Sequence, residues 1–278
     1  MMQKQYVIDP RLDSYQSFFD HAWGREIDRI VSGSPLELIV FDLRAAWKAA
    51  SLTHRLPWLT MEIFKSFATS YDNAREPITK MVIEQIALDM SAKLRLTQTK
   101  RQELDKILEE IRKKVLNTDR PPETIISGFV IDKMWQSLLP NFEFNGSVWA
   151  SQRLCYGAVY YAYEDFLVRT YRLAIGKPDY RMKFAKEFAR DLAKAFSVEL
   201  SDFCFSGEVD VARRARNALA HSGGRITEEL REIGHAFPVV NGEIQITTAH
   251  TRALFDLLKE RVAKLVPEAL KRLPGQHT

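Results

Sequence analysis

The chain is poor in cysteine, glycine and proline, and neither sign of charge dominates it. Its 278 residues include two cysteines, Cys155 and Cys204, far apart and with no histidine beside them at ligand spacing. That pattern excludes a disulfide framework and a thiolate zinc site, and it fits a reducing compartment. With 12 glycines and 11 prolines, the chain is neither collagenous nor built mainly of loops. Lysine and arginine number 40 against 36 acids, a net charge of +4. Such a mild excess neither demands nor excludes a nucleic-acid partner. No run of about 18 apolar residues occurs, so no membrane span is expected. The opening residues lack an apolar stretch with a cleavage site, which predicts no secretory leader and a cytoplasmic protein. The phosphate loop GxxxxGK[ST], GxGxxG, HExxH and GxSxG are all missing. The six histidines are scattered, so neither a metal site nor a cofactor is expected.

Helical periodicity fills most of what remains. Residues 103–116 put Leu104, Ile107, Leu108, Ile111 and Val115 on one face, with Glu109–Lys113 and Glu110–Lys114 as ion pairs. The basic residues of this segment read as a solvated face. The chain breaks at 117–123, around Pro121 and Pro122, and again at Pro140–Ser147. The second break predicts a boundary between an N-terminal helical region, 1–146, and a C-terminal domain, 147–278. A long helix is expected over 148–175, capped by Ser147 and stopped by Gly176 and Pro178. The next, over about 180–200, aligns Phe184, Phe188, Leu192 and Phe196. Lys186, Arg190 and Lys194 form a stripe on it, either a phosphate-facing strip or a solvated face relieved by Glu187 and Asp191. Two β-branched runs flank Asn241-Gly242, the dipeptide of a type I′ hairpin. A final helix over 248–266 presents Leu254, Leu257, Leu258, Val262 and Leu265. The expected class is all-α: an antiparallel helical bundle with one short β-hairpin and an additional N-terminal helical region.

One stretch, VARRARNALAHSGG at 211–224, carries chemistry. On a helix, Val211, Ala215, Ala218 and Leu219 share one side, while Arg213, Arg216, Asn217 and His221 fan across the other. Gly223 and Gly224 end the helix just past His221. A guanidinium grips phosphate bidentately and offsets charge that develops during phosphoryl transfer. An imidazole takes a proton from a ribose 2′-hydroxyl or gives one to a leaving 5′-oxygen. An asparagine amide orients either group. Together they suffice for RNA cleavage by internal transesterification, where the nucleophile belongs to the substrate. The structural alternative is a histidine that merely stabilises a last helical turn beside a solvated arginine face.

The segment Arg216-Asn217-Ala218-Leu219-Ala220-His221 resembles the R-x4-6-H signature of the HEPN superfamily in its RN-xxx-H form. The helix order over residues 147–268 resembles it too. The resemblance implies a small antiparallel helical bundle and a metal-independent endoribonuclease of toxin or antiphage systems. It also implies a homodimer in which two motifs meet. Arg216 and His221 would be the catalytic pair and Asn217 the polar helper. Arg213, Lys186 and Arg190 are candidates for contacting RNA phosphates, and Glu164 for facing the motif and tuning His221. Any antitoxin or regulatory partner would be a separate protein. Non-catalytic members imply an alternative, a module that binds RNA, a nucleotide or a protein.

Overall fold

Amphipathic spacing carries most of the described residues into helices, and the computed structural model describes residues 6–94, 97–117, 133–182, 185–199, 203 and 207–273. Of the expected break at 117–123, all but Asn117 lies outside the described residues, as do Phe184 and Cys204. The elements are α1 (His21–Val31), α2 (Glu37–His54), α3 (Leu56–Leu94), α4 (Gln98–Asn117), α5 (Phe142–Ile175) and α6 (Ala185–Phe196). They continue with α7 (Gly207–His221), a short α8 (Glu228–Glu232), β1 (Val239–Val240), β2 (Glu243–Ile244) and α9 (Thr248–Arg272). The fold is all-α with one small antiparallel hairpin, as the sequence predicts.

The chain divides into two compact units, one of residues 1–58 with 139–278 and one of residues 59–138. That division differs from a boundary at 146/147, because α1 and α2 pack with the helices that follow residue 139. Tertiary burial decides this, not the turn-rich stretch. Trp47 of α2 is fully buried, and its indole N–H donates to the Val159 carbonyl of α5 at 2.9 Å. Trp23, Trp47 and Phe255 meet ring to ring at 5.2–6.5 Å, joining α1, α2 and α9. Of the stripe expected on α9, Leu254, Leu258, Val262 and Leu265 are buried and Leu257 is partly so. In the second unit α3 and α4 are the long helices, and Met61, Leu108 and Trp135 are buried.

Helix α5 is the spine of the first unit, with 34 residues and a length of about 50 Å. It starts six residues before the expected Val148. Asn141 is its N-cap, accepting from the Phe144 N–H at 2.8 Å, while Ser147 bonds back to the Glu143 carbonyl instead of capping. Tyr6 packs on Phe142 and Trp149 at 5.6 and 5.4 Å, a contact remote in sequence that covers the extra turns. The helix ends at Gly176, which takes the left-handed conformation predicted for a stop. In α6, Phe188, Leu192 and Phe196 are buried, as the four-residue spacing predicts. Asn241 and Gly242 both have positive φ (53° and 78°), the geometry of the expected I′ turn.

Candidate active site

Helix α7 holds the motif because its inner face is built of small residues. Val209, Ala212, Ala215 and Ala218 are buried, so the helix backbone approaches the core closely. This stripe is one step round from the expected Val211, Ala215, Ala218 and Leu219. Val211 and Leu219 are only partly buried, and Leu219 turns toward the motif side. Glu208 and Asp210 in the first turn complement the helix dipole. The helix stops at His221, and the Gly224 N–H bonds back to the Ala218 carbonyl at 2.9 Å, with Gly223 and Gly224 at positive φ.

The last turn of α7 faces α5 across a cavity of about 600 Å³. From α7 it is lined by Arg216, Leu219, Ala220 and His221. From α5 come Ala150, Arg153, Leu154, Gly157, Ala158 and Tyr161, spaced so that they share one helix face. Small residues make the hollow: a Cβ placed on Gly157 would meet nothing within 4 Å. The His221 side chain is exposed and makes no hydrogen bond among the described residues. Arg216, by contrast, is engaged through both of its terminal nitrogens. It pairs with Glu164 of α5, donates to the Asn217 side-chain oxygen at 2.9 Å, and lies over the Tyr160 ring at 5.5 Å. Its Nε is buried without a hydrogen-bond partner among the described residues. Glu164 therefore faces the motif as expected, but it holds Arg216 rather than touching His221.

The other expected phosphate contacts lie elsewhere. Arg213 is bonded to Asp210 at 2.6 and 2.9 Å, and Asp210 also takes Arg214 at 2.9 Å. Lys186 and Arg190 are exposed on α6, where Arg190 borders a separate depression with Glu187, Asp191 and Lys194. None of the three lines the cavity beside the motif. Asp165 pairs with Arg169 at 3.5 Å as its spacing predicts, and Arg169 also reaches Asp42 at 2.7 Å. Tyr160, Tyr163 and Phe166 are core residues, whereas Tyr161 is exposed at the cavity. His250 caps α9 through the Thr247 N–H at 3.1 Å, and burial lowers its pKa.

Arg153 escaped the sequence reading. Its guanidinium stacks on the Trp149 ring at 4.2 Å and lies 3.5 Å from the Leu219 carbonyl, at the negative end of α7. Burial lowers its pKa, partly opposed by the charge of Glu243. The available signal was the stripe of small and apolar residues on the same face of α5, which leaves a lone arginine over a hollow.

Among the described residues, no group of three or more His, Cys, Asp or Glu is placed to hold a metal ion. No helix among them is long and apolar enough to cross a membrane. Compared with protein-family models, curated proteins and solved structures, the chain matches none.

Proposed function

We propose that the protein is a metal-independent endoribonuclease of the HEPN type, acting in the cytoplasm as a homodimer within a toxin or antiphage system. The reading rests on one observation: Arg216 and His221 open onto the same cavity, and His221 is exposed there with no partner of its own. A core histidine satisfied by its neighbours would have argued for a structural helix end. In the reaction, the ribose 2′-oxygen attacks the adjacent phosphorus and the bond to the 5′-oxygen breaks. The 2′-proton leaves to a base and the 5′-oxygen gains a proton, giving a 2′,3′-cyclic phosphate and a 5′-hydroxyl. His221 serves one of these transfers and Arg216 stabilises the charge on the phosphoryl oxygens. Asn217 and Glu164 hold the Arg216 guanidinium in one orientation. One chain brings one such histidine and the reaction uses two transfers, so a second copy completes the site. Leu154 and Tyr161, 69% and 65% exposed at the cavity, support contact with that copy. A separate protein would restrain the activity.

The test is cleavage of mixed cellular RNA in EDTA. His221→Ala lowers the rate by about 10²–10⁴-fold, and Arg216→Ala by about 10²–10³-fold. Cleavage that stops in EDTA, or survives both substitutions, removes the proposal. The Arg216–Glu164 pair also favours a second reading, because it already matches the guanidinium charge. In that reading the chain is a non-catalytic module binding RNA, a nucleotide or a protein. It predicts an inert wild type that still binds RNA.

A further inference from the structure

The two arginines of the cavity differ in how closely a carboxylate meets them. Arg216 is neutralised by Glu164. No carboxylate among the described residues forms an ion pair with Arg153, which is partly buried between Trp149 and the end of α7. The Glu243 carboxylate acts on it only from beyond ion-pair distance, and a partly desolvated guanidinium offset in that way gains from an anion that binds it directly. Its place is also built in. A Cβ on Gly224 would lie 2.6 Å from Arg153 Nη2, and Gly224 has φ +87°. Glycine there closes the motif helix and leaves room for the guanidinium. The Trp149 ring lies beneath the Arg153 guanidinium carbon at 4.2 Å and limits where the side chain can go.

We infer that Arg153 is a second anion-binding residue of this cleft, taking a phosphate of the same RNA strand that places its scissile phosphate at Arg216. This assignment rests on the ribonuclease reading for the identity of the strand, but its chemistry requires only a phosphodiester chain. Arg153 is a binding residue, and the chemical step stays with Arg216 and His221.

The test is fluorescence anisotropy with a short 2′-O-methyl oligoribonucleotide, which keeps every phosphate and has no free 2′-hydroxyl to react. Binding is measured over a range of salt concentrations for the wild type, Arg153→Gln and Arg153→Lys, with melting curves to verify folding. Arg153→Gln is expected to weaken binding about tenfold or more and to reduce the salt slope by about 0.7, one single-strand phosphate contact. Arg153→Lys restores the slope and only part of the affinity. Unchanged affinity and slope in Arg153→Gln overturn the inference. Equal losses in both variants with an unchanged slope also overturn it, since they assign Arg153 to packing on Trp149. A wild type that binds none of the oligonucleotide overturns it as well. If Arg153-dependent binding is found but RNA is never cleaved, the ribonuclease reading falls and the Arg153 assignment stands. If RNA is cleaved and Arg153→Gln binds as tightly as the wild type, the reverse holds.

Discussion

Helix α2 in the first unit and helix α4 in the second both carry apolar residues at helical spacing, yet the two stripes end differently. In α2, Ile39, Val40, Leu43, Trp47 and Ala50 are buried, while Leu38, Phe41 and Leu52 on its outer side stay exposed. In α4, Leu108 is buried while Ile107 and Ile111 are 55% and 44% exposed. The neighbouring α3 exposes Ile78, Met81 and Val82 as well. Amphipathic spacing is enough to specify that a helix forms. It does not specify what covers the apolar face, and burial contributes its roughly 25 cal/mol per Å² only where something does.

That contrast can be broken or sharpened by substitution. Trp47→Ala empties the fully buried centre of the first unit and removes the bond to Val159, so urea unfolding should show a loss of about 3–5 kcal/mol. A smaller loss would mean that the core can collapse around the hole. The next effect depends on pH. His54 closes α2 fully buried, near Arg252 and beside the Ser14 carbonyl at 3.3 Å, and burial pulls its pKa from 6.5 down to about 4. The unfolded chain therefore takes up the proton first, so stability is full above pH 6.5 and declines as pH falls toward 4. The decline attributable to His54 is up to about 3 kcal/mol, read as the difference between wild type and His54→Gln across that range. The smallest effect belongs to the second unit, where Ile107→Ser should change stability by no more than about 0.5 kcal/mol. A larger loss would show that Ile107 is covered in solution and that the two stripes are alike after all.

What could be read from the sequence was mostly local. The stop at Gly176, the I′ turn at Asn241-Gly242 and the motif helix ending at His221 each depend on a few adjacent residues, and the structure has them. The early start of α5 depends on Tyr6, far away in the chain, so the turn formers around Asn141 read as a break. Glu164 was legible as a carboxylate facing the motif. Its partner was not, because which residue of α7 meets α5 is fixed by how closely the alanine face packs. Arg213 has the right spacing to join the motif, but Asp210, three residues earlier, captures it. Arg153 lies 63 residues before Arg216, and nothing local relates the two until α5 and α7 are side by side.

The Glu164 carboxylate also gives the cleft a sense of valence. A fixed negative charge beside an anion-binding guanidinium repels an incoming anion in proportion to that anion's charge. A phosphodiester inside a strand carries one charge, whereas a terminal monoester carries about 1.5 to 2 at neutral pH. On the ribonuclease reading, Glu164 therefore reduces the advantage that a doubly charged strand end would otherwise hold over a singly charged phosphodiester at Arg216. By the same argument, Glu164 weakens the hold on the ring-opened monoester more than it weakens the hold on the cyclic phosphate.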